Sequence, residues 1–187
     1  SGQATPYIDA LFTATTSVCV TGLIVETTMT HWSIFGQAVI ILLVQIGGLG
    51  VVAVSTFFLV VIGRKITVKE RVMIQETYNM ESLSGMVKWI LRILKGTFVV
   101  EGIGAIFFAF QFIPEYGFLK GIWYSVFHSI SAFCNAGIDI LGADSFAAYA
   151  RNPLINLTTM ILIVAGGIGY TVWFDITDNI RNFRKKG

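Results

Sequence analysis

Charge is what this sequence has least of. Only 13% of its 187 residues are Asp, Glu, Lys or Arg, about half the usage of a soluble domain. With 55% hydrophobic residues and a mean hydropathy of +0.74, a mostly water-facing surface is excluded and lipid is the expected solvent. Proline is also scarce, 3 residues against 19 glycines, which fits membrane helices in close contact and excludes a loop-rich secreted domain. Two cysteines give no disulfide framework, and they stand at matching positions of two repeats, as parts of each. No basic segment precedes an apolar run at the start, so no cleavable signal peptide is read; opening on Ser1-Gly-Gln-Ala-Thr-Pro6, the chain is expected to be an excerpt of a longer one.

The basic residues that are present are clustered. Of 13 Lys and Arg, seven lie between Arg64 and Lys95 and four between Arg181 and Lys186. Cytoplasmic loops of membrane proteins carry such clusters; a nucleic-acid surface would need a basic face with interleaved aromatics, so no nucleic-acid partner is expected.

The dominant feature is a repeat. Phe12-Thr-Ala-Thr-Thr-Ser-Val-Cys-Val-Thr-Gly22 recurs 115 residues later as Phe127-His-Ser-Ile-Ser-Ala-Phe-Cys-Asn-Ala-Gly137, with Phe, Cys and Gly in register. Gly47-Gly-Leu-Gly50 recurs as Gly166-Gly-Ile-Gly169, 119 residues on. In each copy a short helix precedes Cys-x-x-Gly: Tyr7–Ser17 after Pro6, and Gly121–Ala132. Both are too short for a bilayer core of about 30 Å. Each copy then runs into a long apolar stretch: Ile34–Ile62, 29 residues without a formal charge, and Leu154–Phe174. These are expected as continuous spanning helices. Between them Thr67-Val-Lys-Glu70 has the form of a capping box, and a third span is expected from about Met86 to Ile113, closed by Pro114-Glu-Tyr-Gly117.

The expected fold class is therefore all-α integral membrane, with parallel helix, pore-loop, helix repeats around a central ion pore. The expected units are a first repeat at 1–62, a cytoplasmic linker at 63–85 and a second repeat at 86–187. Two spans separate the loops, so both enter from one side of the membrane; this parallel arrangement differs from the inverted repeats of many secondary transporters. Irregular backbone at membrane depth survives only where protein or a water-filled cavity satisfies it. A dehydrated cation taking backbone carbonyls as ligands is one such partner. Glycine permits the dihedrals and leaves the path open.

These motifs, with Arg64-Lys-Ile-Thr-Val-Lys-Glu-Arg71 after the first glycine cluster, resemble the Ktr/Trk/HKT potassium transporter superfamily, and within it the membrane subunits of bacterial Ktr systems, from about Asp9 to Arg184. The resemblance implies four repeats of one polypeptide around one pore, each giving a short selectivity filter with a key glycine. Here the filter would be Val18, Cys19, Val20, Thr21, Gly22 and Cys134, Asn135, Ala136, Gly137, acting through backbone carbonyls. Sodium-favouring plant relatives have Ser where Gly22 stands, so Gly at both positions implies potassium; sodium is a possible co-ion and no organic cofactor is implied. The implied partners are the remaining repeats of the polypeptide, a second membrane subunit in a homodimer, a cytosolic ring of nucleotide-binding RCK-type subunits, and the bilayer of the cell membrane. Against the family pattern this chain lacks the helix before the first pore loop and the third and fourth repeats, so it is expected to supply half a filter.

Other residues have plainer readings. Gly47, Gly48, Gly50, Gly166, Gly167 and Gly169 suit helix packing, a pivot, or a surface facing a pore loop. Gly102 and Gly104 lack the strand-turn-helix setting of a nucleotide fingerprint and read as packing glycines. His128 suits a buried hydrogen-bonding role. Glu101, inside a span, is either a structural hydrogen-bond partner or a cavity residue. Asp9, Glu26, Asp139 and Asp144 are outer loop charges or a cation-concentrating pore mouth. Two alternatives remain: a homo-oligomeric channel of two-repeat chains, and an intramembrane hydrolase built on Ser129, Ser131 and His128.

Overall fold

In the computed structural model, the described residues are 5–50 and 86–170, with single positions or short pieces at 53–55, 57–58, 62, 67, 72–73, 76, 172–173 and 175–176. The expected capping box, the basic linker and the tail at 181–186 lie outside them, Thr67 excepted. The described elements are α1 (Tyr7–Val18), α2 (Thr28–His31), α3 (Ile34–Leu49), α4 (Met86–Tyr116), α5 (Phe118–Phe133), a 3-10 turn (Ser145–Tyr149) and α6 (Pro153–Gly167). All regular structure among these residues is helical.

α4 is the longest helix, and its part Lys88–Tyr116 is long and apolar enough to cross a membrane. At 1.5 Å per residue, those 29 residues extend about 44 Å, more than the hydrocarbon core needs. The expected segment Pro114–Gly117 holds the turn, but the helix runs three residues past Ile113 to Tyr116, with Pro114 inside its last turn. There it forgoes only one backbone bond, and the chain turns at Gly117, whose φ of 82° no ordinary side chain favours. Only Gly117 separates α4 from α5, so α5 starts three residues before the expected Gly121.

The α4–α5 hairpin is zipped by aromatics. Phe112 packs on Tyr116, Tyr124, His128 and Tyr149, and Phe108 stacks on Phe112 at 5.7 Å. Phe108, Phe112 and Phe127 are wholly buried. At the hairpin tip Tyr149 Oη donates to Glu115 (2.7 Å) and so accepts from Tyr116 Oη (2.9 Å), while Asn152 donates to Gln111 (2.9 Å). Burial, then the bonds to Tyr116 and Glu115, raise the Tyr149 phenol above its ordinary range, so the clamp stays protonated. The Asn152 side chain also caps α6, accepting from Leu154 and Ile155 N–H.

The long apolar stretches depart from expectation. Neither Ile34–Ile62 nor Leu154–Phe174 is one continuous helix: α3 stops at Leu49 and α6 at Gly167. Gly50 and Gly169 have φ of 84° and 87°, and helical bonding resumes from their carbonyls, Val54 N–H to Gly50 (3.2 Å) and Trp173 N–H to Gly169 (3.3 Å). A left-handed residue interrupts the ladder whatever the hydropathy around it, which is why an uncharged run hid the break. In α6 the Trp173 indole N–H donates to the Ala165 carbonyl (2.8 Å) beside the break.

The hairpin leaves no room at its tightest point. A Cβ on Gly121 would sit 2.6 Å from Ile113 Cα and 2.7 Å from the Phe112 carbonyl. Gly121→Val is therefore expected to destabilise the fold by about 1–3 kcal/mol, read as a lower unfolding midpoint in detergent. An unchanged midpoint contradicts this packing.

Candidate functional site

Both Cys-x-x-Gly segments leave their helices through the same backbone states. Cys19 (φ −79°, ψ −4°) caps α1 and Cys134 (φ −73°, ψ −4°) caps α5. The next residues are left-handed, Val20 at φ 55° and Asn135 at 59°, as are the glycines two positions on, Gly22 at 74° and Gly137 at 68°. Each ending is a Schellman motif: Thr21 and Val20 N–H donate to the Thr16 and Ser17 carbonyls, Ala136 and Asn135 N–H to those of Ser131 and Ala132. Asn tolerates this geometry; β-branched Val20 does so at a cost on the order of 1 kcal/mol.

The two loops lie against each other. A Cβ on Gly22 would be 2.5 Å from the Ala136 carbonyl oxygen and 3.8 Å from Gly137 Cα. The helices behind them touch them through glycine. A Cβ on Gly47 would strike the Val18 carbonyl and lie 2.9 Å from Val20 Cγ2; the matching Gly166 would strike the Phe133 carbonyl in the same way. Gly48 reaches across to the other copy, where its Cβ would lie 2.6 Å from Cys134 Cβ. Gly167, its counterpart, is exposed, and Asn135 Nδ2 would be 3.8 Å from its Cβ. Cys134 is accordingly buried and Cys19 exposed. Gly104 admits Ser129 Oγ at 2.5 Å from its would-be Cβ, whereas Gly102 has nothing within 4 Å and is no packing glycine here.

Hydroxyls and one imidazole hold each loop from behind. Thr16 and Ser131 stand 115 residues apart, like Cys19 and Cys134. Thr16 Oγ1 accepts from Leu23 N–H (3.1 Å) and bonds Thr21 Oγ1; Ser131 Oγ donates to the Ile138 carbonyl (2.5 Å). This brace was not anticipated, and its signal was a hydroxyl residue three positions before each Cys. His128 is buried, with Nδ1 donating to the Tyr124 carbonyl (2.6 Å) and Nε2 accepting from Ile140 N–H (3.3 Å). The two bonds fix a neutral tautomer and hold the segment after Gly137. Asp139 accepts from Leu141 N–H and Ser145 Oγ, and Glu26 lies 3.7 Å from His31. Both carboxylates therefore have local structural partners. Beside Asn135 and Gly137 a cavity of about 200 Å³ opens, walled by Ile138, Asp139, Phe146, Thr159 and Ile163.

A paired, glycine-lined loop motif in an apolar helical setting agrees with what sequence comparison returns: the TrkH family, described as cation transport protein, matches residues 1–186. The chain belongs to the TrkH family. It is 46% identical over 176 residues to the potassium/sodium uptake protein NtpJ of Enterococcus hirae, covering 94% of this chain and 39% of that one. It is 40% identical over 175 residues to the Ktr system potassium uptake protein B of Bacillus subtilis, with the same coverage, and 36% identical over 177 residues to that of Vibrio alginolyticus, 95% of this chain and 38% of that one. The chain thus spans about two fifths of the length of these curated relatives. TrkH proteins are membrane transporters, not enzymes. The hydroxyls fit that: Ser129 Oγ donates to the Glu101 carbonyl (2.6 Å) and Ser131 to Ile138, while both His128 nitrogens are held by backbone. Neither Ser129 nor Ser131 is paired with His128, and the hydrolase alternative is set aside.

If the TrkH loops depend on these glycines, Gly47→Ala and Gly166→Ala each lower the unfolding midpoint by about 1–3 kcal/mol equivalent. Gly102→Ala, at an open helical position, leaves it unchanged or raises it by up to about 1 kcal/mol. Equal effects at all three positions would contradict the contact.

Proposed function

We propose that this segment forms part of a potassium uptake pathway, with Val18–Gly22 and Cys134–Gly137 lining its selectivity filter through backbone carbonyls. The observation that carries this reading is the pair of loops with matching left-handed states, seated side by side with Gly22 against the Ala136 carbonyl. A potassium ion gives up its hydration shell only to oxygens that replace it, and backbone carbonyls around one axis do so without a side chain in the path. The C-terminal ends of α1 and α5 stop at these loops, so their dipoles add negative potential for a cation.

One contact between the repeats sets a head-to-tail geometry, and the length of the relatives favours its closing within one polypeptide over a channel of separate two-repeat chains. Gly48 of the first repeat seats Cys134 of the second, and by symmetry the exposed Gly167 is open to the loop of a following repeat and the exposed Cys19 to a preceding one. Such head-to-tail contacts close into a ring, and the greater length of the relatives leaves room for further repeats. The two repeats at 1–62 and 86–187 and the linker at 63–85 are the units of this reading. The family resemblance extends it to a homodimer of membrane subunits in the cell membrane above a cytosolic ring of RCK-type regulatory subunits. The basic segments at Arg64–Arg71 and Arg181–Lys186 then face the cytoplasm. Sodium as a second ion is supported by the name of the Enterococcus relative alone.

In cells unable to take up potassium, the full reading frame containing this segment should restore growth at limiting potassium, and Gly137→Asp should abolish that rescue. Undiminished rescue by Gly137→Asp overturns the filter assignment. Gly22→Ser is expected to lower potassium-over-sodium discrimination while leaving transport measurable.

A further inference from the structure

Glu101 lies within the membrane-crossing part of α4, 4% exposed. Among the described residues its carboxyl has one partner, the amide of Gln45 on α3, whose Nε2 donates to Oε1 at 2.9 Å. Among the described residues nothing basic faces it. α3 and α6 carry no charged residue, α5 carries Lys120, Tyr124 and His128, and the Cys134 thiol lies just beyond α5. Lys120 is over the Tyr116 and Tyr124 rings, about two and a half turns from Ser129, and both His128 nitrogens are engaged. On α4 itself the nearest base, Lys95, is exposed and on another face. A carboxylate buried without a counter-charge is strongly disfavoured, so the group must hold a proton or a cation.

A second observation decides between them. Among the described residues two buried polar side-chain atoms have no hydrogen-bond partner, Gln45 Oε1 and Thr97 Oγ1. The first belongs to the amide already bonded to Glu101; the second is one helical turn before Glu101 on the same face. A primary amide beside an uncharged carboxylic acid closes two bonds, N–H to the acid carbonyl and acid O–H to the amide oxygen. The orphaned Gln45 Oε1 gains its missing donor when Glu101 is protonated, and stays orphaned when Glu101 is ionised. We infer that Glu101 carries a proton in the folded transporter and pairs with Gln45 as acid with amide, making Glu101 a positioning residue for the paired loops.

The position explains the role. Gln45 is two residues before Gly47 and three before Gly48, the glycines that touch Val18 and Cys134. The Glu101 carbonyl accepts from Ser129 Oγ on α5, two residues before Ser131, which braces Ile138. One residue thus ties α3 and α5 to α4 at the level of both loops. Its effect on transport rests on the ion-pathway reading above; its protonation does not.

Two measurements on the full-length protein test this. Infrared difference spectra of wild type against Glu101→Gln, in lipid, should contain the C=O band of a protonated carboxylic acid, shifted in deuterated water; absence of that band in wild type overturns the inference. In transport assays Glu101→Gln, which keeps an amide partner for Gln45, should retain uptake and potassium-over-sodium discrimination within about twofold, while Glu101→Leu and Gln45→Leu should lose about tenfold in either. If Glu101→Gln falls as far as Glu101→Leu, the carboxylate holds a cation and the inference is wrong. Should wild type carry no potassium at all, the ion-pathway reading fails, and the infrared band still decides the proton.

Discussion

Two helix backbones come within contact of two carbonyl groups, and that approach requires glycine. Gly47 faces the last carbonyl of α1, and Gly166 faces the last carbonyl of α5. With any side chain at either point the helix would stand off and the loop would lose its wall. The neighbouring Gly48 extends the contact to the other copy, seating Cys134, so the glycine run of the first repeat both walls its own loop and joins the second. Because the loops are held this way, Gly22 and Ala136 can meet with nothing between them.

Around that contact, polar groups are placed where an apolar surrounding would otherwise leave backbone unsatisfied. The Schellman endings of α1 and α5 use the carbonyls that a helix end exposes. Thr16 in one copy and Ser131 in the other brace the residue after the key glycine, one accepting from an N–H and the other donating to a carbonyl. His128 adds a second brace to the later copy alone. The repeats have therefore kept a position and a task while changing the direction of the bond. Glu101 and Gln45 complete the set behind the loops, joining α4 to α3.

The repeat was legible because Phe, Cys and Gly stand in register and charge is missing from long runs; both are properties of residue type and spacing alone. The short helices were legible too, α1 almost to the residue, since Pro6 opens it and the following glycine-bearing loop closes it. The breaks at Gly50 and Gly169 were not, because hydropathy is blind to a dihedral and these glycines are embedded in uncharged sequence. Pro114 misled for the converse reason: it is a helix breaker by type, yet the last turn tolerates it and Gly117 does the turning. Contacts between copies were out of reach of local reading. Gln45 meets Glu101 from 56 residues away, and Gly22 meets Ala136 from the opposite repeat. The family assignment, by contrast, rests on motifs that sequence carries directly, and residues 1–186 match it throughout.

The central claim is that the touching loops hold a dehydrated cation between backbone carbonyls. Its most direct measurement is an anomalous-scattering map of the full-length transporter with thallium or rubidium replacing potassium. The account predicts anomalous peaks beside the backbone carbonyls of Val18–Gly22 and Cys134–Gly137, lost when sodium replaces the heavier ion. Peaks confined to side chains elsewhere, such as Glu101 or Asp139, with none at the two loops, would contradict it.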